Sequence, residues 1–173
     1  MEKSLDGGGG ARPCLIRPIR SDDDDRIAFV IRSVMTEYGA IGEGYSIVDP
    51  EVDGMSAAYA GQGAAYFVAT CGDEVVGGAG VGPLAGGPAD ICELKKMYVL
   101  PEGRGLGLGR QLMAACLAAA RAAGYARCYL ETLDRMQDAR RLYERNGFTA
   151  LDGPLGSTGH DGCNGWYLRD LRS

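Results

Sequence analysis

The feature that most constrains the fold is a segment of alternating glycines, Arg-Gly-Leu-Gly-Leu-Gly-Arg at positions 104–110. It lies between the apolar segment 93–99 and an alanine-rich stretch with helical periodicity. Alternating glycines let the main chain turn tightly and approach a ligand closely. A helix that begins after such a loop presents unpaired N–H groups and the positive end of its dipole. The segment therefore predicts a strand, a phosphate-binding loop and a helix.

The spacing of these glycines excludes two common nucleotide-binding motifs. A dinucleotide fingerprint requires G-x-G-x-x-G, and counting from Gly103 or Gly105 places Leu108 or Arg110 at the third glycine. A nucleoside triphosphate loop requires Gly-Lys-Ser or Gly-Lys-Thr at the helix start, where this chain has Gly-Arg-Gln at 109–111. The phosphate ligand is therefore of another kind.

The pattern that fits is Arg104-x-x-Gly107-x-Gly109, which resembles the acetyl-coenzyme A loop of the GNAT superfamily of N-acetyltransferases. A second segment, Ala-x-x-Leu-Tyr-x-x-x-Gly-Phe at 139–148, is similar to the family's other signature. The order of the predicted elements also resembles the family from Leu15 to Leu171. The resemblance implies an enzyme that transfers an acetyl group from acetyl-coenzyme A to an amine.

The length of 173 residues suits one domain with a core. We predict an α/β fold with a single GNAT-like mixed sheet of about six to seven strands, helices on both faces, and splayed central strands. The domain is expected to cover residues 13–173. Residues 1–12 contain four consecutive glycines and no apolar region, which predicts a flexible tail.

Hydrophobic periodicity and turn residues define the expected elements. Strands are predicted at 13–20, 65–70, 75–81, 91–99, 126–132, 148–152 and 166–171. Helices are predicted at about 21–38, 51–60, 107–123 and 136–146, with Gly147 as the last helix's C-terminal cap.

The composition of the chain restricts the classes of partner that we expect it to bind. The net charge of -5 and the absence of a Lys/Arg run disfavour nucleic acid. No stretch approaches eighteen consecutive apolar residues, so no membrane span is expected, and no signal peptide is visible. These features predict a cytoplasmic protein with a small-molecule partner. A homodimer is one oligomeric state that the sequence leaves open.

Six cysteines are present, and none has a partner at metal-ligand spacing. We therefore expect no metal site. In a reducing compartment the cysteines are expected to be free thiols that pack as small apolar residues.

The resemblance implies a binding surface for acetyl-coenzyme A. The backbone of the central strand is expected to pair with the pantetheine arm, and one of its N–H groups to polarise the thioester carbonyl. The glycine loop is expected to bind the diphosphate. The residues assigned to these two roles are Met97, Tyr98, Val99, Arg104, Gly105, Leu106, Gly107, Leu108, Gly109 and Arg110.

Two residues are assigned to catalysis. Tyr143 matches the family's general acid and would protonate the leaving thiolate. Glu93 resembles the general-base glutamate of some members, although an ion pair with a neighbouring lysine is an equal alternative. Strand alternation would place Lys95, Met97 and Val99 on the face of Glu93 unless a bulge intervenes. Glu93→Gln is expected to lower kcat/KM most at low pH.

The acceptor is the least constrained partner. The candidates for contact with the acceptor are Glu37, Tyr38, Glu131 and His160. His160 is also an alternative general base, and Glu131 could instead form an ion pair with an arginine. The leading hypothesis is a primary amine on a small molecule or amino-acid-like acceptor. Alternatives are a protein N-terminus or lysine as the acceptor, and a non-catalytic sensor that binds coenzyme A.

Overall fold

The computed structural model describes residues 13–172, so the predicted tail at 1–12 lies outside the described residues. These described residues form one sheet of seven strands with four α-helices. The strands are β1 (Cys14–Pro18), β2 (Ala65–Cys71), β3 (Glu74–Pro83), β4 (Ile91–Val99), β5 (Arg127–Thr132), β6 (Thr149–Leu151) and β7 (Gly165–Asp170). The helices are α1 (Asp24–Glu37), α2 (Met55–Ala58), α3 (Leu108–Ala122) and α4 (Gln137–Arg145). Within the described part of the chain, no helix could cross a membrane.

The sheet has the strand order β1-β2-β3-β4-β5-β7-β6. The pair β4 and β5 is parallel, and all other neighbours are antiparallel. A tight turn at Gly72-Asp73 joins β2 to β3, as the Gly-Asp pair predicts. The predicted mixed α/β sheet is therefore confirmed.

Helices cover both faces of the sheet, as predicted. The apolar residues of α1 recur at helical spacing and pack with Val68 and Val75 on one face. Helix α3 packs its buried side on the opposite face, against Ala69 and Leu94, and α4 adds Tyr143 there. The buried side chains of α3 are Leu108, Leu112, Met113, Cys116, Leu117 and Ala120.

The two central strands separate partway along their length. Strand β4 pairs with β5 only from Ile91↔Arg127 to Glu93↔Tyr129, and then continues to Val99. Beyond Glu93 the β5-facing backbone groups of β4 have no strand partner in the sheet. This gap confirms the predicted splay, and both candidate sites described below open from it.

A bulge in β4 overturns the expected side-chain alternation. Lys96 has a φ of 51°, and the register with β3 shifts at this point. Met97 and Val99 consequently pack on the α3 face of the sheet, whereas Glu93 and Lys95 face the other side. The exception foreseen for this alternation therefore applies: the extra residue of the bulge reverses the alternation after it, so the four residues do not share one face.

The expectation of six free thiols is also wrong. Cys14 and Cys71 form a disulfide that joins β1 to β2. These residues are directly paired in the sheet although 57 positions separate them in the sequence, so spacing alone gave no signal. Among the described residues the other four cysteines are free thiols, and Cys92, Cys116 and Cys128 are buried.

Candidate active site

The glycine loop leads directly into α3. Gly105 and Gly107 have φ values of 76° and 75°, a conformation that L side chains rarely adopt. Gly107 is the N-cap residue, and the first backbone hydrogen bond of the helix runs from Gln111 N–H to the Gly107 carbonyl. The preceding N–H groups are therefore available to an anion at the positive end of the helix dipole.

A groove of about 530 Å³ lies beside this loop, a size typical of ligand sites. It is bordered by the exposed β4 backbone at 97–99, the glycine loop, and one side of α4. All predicted cofactor residues line it except Leu106, whose side chain is exposed to solvent. The cationic side chains along the groove are Arg104, Arg110, Arg141 and Arg145.

Arg141 and Arg145 were not identified from the sequence. They lie four residues apart on α4 and therefore on the same side of that helix, and both line the groove. That spacing was the available signal. Together with the free N–H groups of α3, these guanidinium groups suit the phosphates of coenzyme A.

Glu37, a predicted acceptor contact, binds Arg104 of the glycine loop and does not lie with Glu131 and His160. Its carboxylate accepts two hydrogen bonds of 2.7 Å from Arg104, whose Nε also donates to the Val99 carbonyl at 3.0 Å. The Arg104 guanidinium beside it lowers the pKa of the Glu37 carboxyl. Glu37 therefore joins the end of α1 to the glycine loop on the groove side.

A second, smaller cavity of about 50 Å³ lies on the other side of the separated strands. Glu93, Glu131 and His160 line it, together with Ser46 and Cys163. Five residues border both this cavity and the groove, namely Tyr38, Met97, Tyr98, Met136 and Tyr143. The two compartments therefore meet at the β4 bulge and at Tyr143.

Tyr143 lies at this junction with only 6% of its surface exposed. Its ring packs against Phe148 and Tyr167, at centroid distances of 6.1 and 6.0 Å. Burial raises the pKa of the phenol, and a hydrogen bond with Thr132 opposes that shift. The hydroxyl is therefore protonated at neutral pH and can act as a proton donor.

Glu93 lies at the point where β4 and β5 separate, and it is 4% exposed. Within residues 13–172, no hydrogen bond or ion pair to its carboxylate is formed. Burial raises its pKa to about 7, an effect that the nearby Lys95 charge opposes. A carboxylate that titrates near neutral pH is suited to accept a proton from a substrate.

Glu131 and His160 lie next to Glu93 in the cavity. The Glu131 carboxylate accepts hydrogen bonds from Tyr129 Oη at 2.8 Å and from Thr158 Oγ1 at 3.0 and 2.9 Å. His160 Nε2 lies 3.1 Å from Asp49 Oδ2, and Nδ1 lies 3.7 Å from Glu131. The hydrogen bond to Asp49 raises the pKa of His160.

Lys96 connects the bulge to the same network. Its side chain is 1% exposed, and Nζ forms ion pairs with Glu51 and, at 2.6 Å, with Asp49. Asp49 thus joins Lys96 to His160. Of the residues in this network, only His160 was predicted from the sequence as a site residue. Asp49, Glu51 and Lys96 were not, because only the tertiary fold brings them together.

The loop between β6 and β7 (residues 152–164) covers the cavity and is joined to two other loops. Gly162 N–H donates to the Gly44 carbonyl at 3.0 Å, and Ser157 N–H donates to the Ala85 carbonyl at 2.7 Å. A Cβ atom at Gly44 would lie 3.1 Å from the Gly162 nitrogen, and one at Gly162 would overlap the Tyr45 ring. Glycine is therefore needed where these loops meet.

Three potential metal ligands converge in the cavity, although the sequence predicted no metal site. One ligand atom each from Glu93, Glu131 and His160 lies within 4.8 Å of the others. Carboxylates and imidazole also bind a cationic organic group, so the donor set by itself specifies positive charge rather than a metal.

Comparisons with known proteins identify the family. The family model for the acetyltransferase (GNAT) domain matches residues 62–150. The chain is 44% identical to the uncharacterized N-acetyltransferase YjgM of Escherichia coli K12 over 158 residues, which is 91% of this chain and 95% of that protein.

Solved structures show the same fold. A GNAT-family acetyltransferase from Staphylococcus aureus superposes with a TM-score of 0.80 at 23% identity, covering 92% of this chain and 99% of that one. The acetyltransferase yncA from Salmonella typhimurium, solved with its cofactor acetyl-CoA, has a TM-score of 0.73 at 21% identity, covering 91% and 94%. The chain therefore belongs to the GNAT family and is an acetyl-coenzyme A-dependent N-acetyltransferase.

Proposed function

We propose that this enzyme acetylates the primary amine of a small-molecule or amino-acid-like acceptor by direct attack, with Tyr143 as general acid and Glu93 as general base. The observation that carries the proposal is that Tyr143 borders both the cofactor groove and the acceptor cavity. A group in that position reaches the sulfur from one compartment and the acceptor from the other.

The glycine loop and the four arginines of the groove would hold the phosphates of acetyl-coenzyme A. The open edge of β4 at 97–99 would pair with its pantetheine arm through the backbone groups other than the Val99 carbonyl, which accepts from Arg104. Pairing of this kind adds an extended ligand to an open strand edge. A backbone N–H beside the bulge would polarise the thioester carbonyl, where negative charge develops. When bound, acetyl-coenzyme A supplies an acetyl group on a thiol leaving group.

The amine must lose its charge before it can attack. Each pKa unit of an amine above the working pH costs about 1.4 kcal/mol. Glu93 would take one proton from the ammonium, which frees the nitrogen lone pair, and solvent would take a second proton from the nitrogen as the N–C bond forms. Tyr143 would give its phenolic proton to sulfur as the C–S bond breaks, so the products are an amide and a thiol. Solvent then returns a proton to Tyr143 and removes one from Glu93.

A small acceptor is favoured over a protein chain by the walls of the cavity. The cavity has a volume of about 50 Å³, and the β6–β7 loop over it is hydrogen-bonded to the loops that contain Gly44 and Ala85. An extended peptide would require these loops to part. Acetylation of a protein N-terminus or lysine is therefore the second candidate.

The proposal is tested by measuring thiol release from acetyl-coenzyme A with a panel of small amines, amino acids and lysine-containing peptides. We expect release with at least one small primary amine and formation of its N-acetyl product by mass spectrometry. Release with peptides alone would favour the protein-acceptor alternative. Tight coenzyme A binding without turnover of any acceptor would support a sensor and contradict the proposal.

The loop contact at Gly162 provides a further prediction. Gly162→Ala should raise the KM for the acceptor about tenfold, because overpacking against Tyr45 costs about 1–3 kcal/mol. The Kd for coenzyme A should remain unchanged, since Gly162 lies away from the groove. Gly153→Ala is the matched control, because a Cβ atom there meets nothing within 4 Å. Equal KM values for the two variants would contradict the role of this contact.

A further inference from the structure

The C-terminal ends of β4 and β5 are held by different neighbours. In the described part of the chain, β4 pairs there with β3, through Val99↔Gly77, and β5 pairs with β7, through Thr132↔Gly165. The two strands pair with each other only at residues 91–93 of β4. The sheet therefore has two halves, β1–β4 and β5–β7, which strand pairing joins at one end of the gap. Because β4 and β5 are parallel, their unpaired ends lie at the same edge.

The end of α1 is bound to both halves across this gap. On the β4 side, Glu37 accepts two hydrogen bonds of 2.7 Å from Arg104, whose Nε donates to the Val99 carbonyl at 3.0 Å. On the β5 side, the carbonyl of the next residue, Tyr38, accepts a hydrogen bond of 2.6 Å from Arg135 Nε. Arg135 lies in the turn between β5 and α4. We call residues 37–38 together with these two arginines the α1 bridge.

The contacts of the α1 bridge are directional, unlike the other contacts that join the halves. Leu100 after β4 and Leu133 after β5 pack in the same buried cluster as Val34 of α1. Apolar burial of this kind is non-directional. A hydrogen bond weakens steeply away from its preferred angle, and a guanidinium with two parallel bonds to one carboxylate adds geometric specificity. The α1 bridge is therefore suited to fix the spacing of the two unpaired strand ends.

This spacing determines where two parts of the active site lie relative to each other. The open backbone of β4 belongs to one half of the sheet. Tyr143 belongs to the other half, because α4 follows β5 and the Tyr143 ring packs on Tyr167 of β7. Tyr38 borders both the groove and the cavity between these halves. A change in the width of the gap would therefore move Tyr143 relative to a cofactor bound along β4.

We propose that Glu37 and Arg135 are positioning residues, which fix the width of the gap between β4 and β5 and with it the distance from the thioester to Tyr143. Neither residue lines the groove or the cavity, so each acts through the residues it holds. Arg104 uses three of its five N–H groups in the bridge, so two remain for a phosphate. The inference rests on the proposed function, in which Tyr143 protonates the sulfur.

The first test is hydrogen exchange of the full-length protein, which requires no acceptor. Glu37→Gln removes the charge of the carboxylate at nearly constant size, and Arg135→Ala removes the donor to Tyr38. We expect each substitution to accelerate exchange on the opposite side of the gap by about threefold or more. The segment that responds should be 133–136 in Glu37→Gln and 100–104 in Arg135→Ala. Both segments contain hydrogen-bonded amides, so their exchange reports opening.

Asp53→Asn is the matched control. It removes another ion pair of α1, in which Asp53 lies 2.9 Å from Arg32, and neither of these residues lines the groove or the cavity. Exchange at 100–104 and 133–136 should remain as in the wild type. The kcat should stay within about twofold, because exposed ion pairs contribute little.

Turnover with the amine that the wild type acetylates fastest separates positioning from binding. Glu37→Gln and Arg135→Ala should each lower kcat about tenfold, because a misplacement of about 1 Å can cost about 100-fold. Arg135→Lys retains a donor and should recover most of this loss. The Kd for coenzyme A should not rise in Glu37→Gln, since the substitution removes a negative charge beside a groove for phosphates.

The double variant distinguishes one device from two separate contacts. Breaking either contact frees the α1 bridge, so Glu37→Gln with Arg135→Ala should lower kcat about 10- to 20-fold, whereas independent sites would give about 100-fold. Melting temperatures identify misfolded variants, and if one single variant loses its fold, the other carries the test.

Three results would overturn the α1 bridge. The first is exchange that accelerates only beside the substituted residue. The second is a double variant with the full 100-fold loss expected of independent sites. The third is a raised Kd for coenzyme A with unchanged kcat, because Glu37 would then serve cofactor binding alone. If the wild type acetylates no amine, the proposed function fails, and the exchange measurements alone decide whether the bridge joins the two halves.

Discussion

Tyr143→Phe is expected to lower kcat about 100-fold or more, because a positioned general acid contributes about 10²–10⁴-fold to the rate. The phenyl ring retains the packing against Phe148 and Tyr167, so the fold should be preserved. The Kd for coenzyme A should change little, because the groove has many other contacts. Steady-state kinetics and calorimetry measure the two effects separately.

Tyr167→Phe is the matched control for this prediction. Tyr167 is also buried and its ring is next to that of Tyr143, but its hydroxyl contacts Arg140 and Glu144 rather than either compartment. It should retain kcat within about threefold, as expected for loss of a hydrogen bond outside the site. A Tyr143→Phe variant as active as Tyr167→Phe would remove Tyr143 from proton transfer.

Glu93→Gln is expected to abolish the rise of kcat/KM with pH that the wild type should show around pH 7. The pKa of about 7 means that the base is protonated below neutral pH and ionised above it. The loss relative to wild type should therefore be largest above pH 7, about 100-fold. This reverses the sequence-based expectation of the largest effect at low pH, because burial moves the titration of Glu93 into the assay range.

The stability of the same variant provides an internal control. Glu93 has a folded-state pKa above its ordinary value of 4.5, so its protonated form stabilises the fold at low pH, and that contribution is lost as pH rises from about 4.5 to 7. Glutamine is neutral at every pH and does not carry the cost of burying an ionised carboxylate. Glu93→Gln should therefore melt at or above the wild-type temperature at pH 8. If Glu93→Gln is inactive but fully folded while Glu74→Gln, which removes an exposed charge elsewhere, stays active, the loss is due to the chemistry of Glu93. An unchanged pH profile in Glu93→Gln would contradict its role as the general base.

The sequence was sufficient for the features that depend on local patterns. The positive φ values of Gly105 and Gly107 correspond to the alternating glycines that first indicated the loop. The helical spacing of apolar residues in α1 and α3 predicted the buried side of each helix, and these sides pack on the two opposite faces of the sheet. The position of Tyr143 beside the groove follows from a helix motif that ends at Gly147, whose φ is 81°.

The features that were missed depend on tertiary contacts. A positive φ is locally unfavourable for Lys96, and the bulge is accompanied by buried ion pairs with residues 45 or more positions away. Asp49 meets His160 across 111 positions. The pKa of Glu93 depends on burial, which neither spacing nor composition expresses.

A crystal structure with coenzyme A and an N-acetylated product would show directly whether cofactor and acceptor meet at Tyr143. We expect the diphosphate against the loop 104–110, the sulfur beside the Tyr143 hydroxyl, and the amide nitrogen on the Glu93 side of the separated strands. Coenzyme A bound with its sulfur away from Tyr143, or a product outside the cavity lined by Glu93 and Glu131, would contradict it.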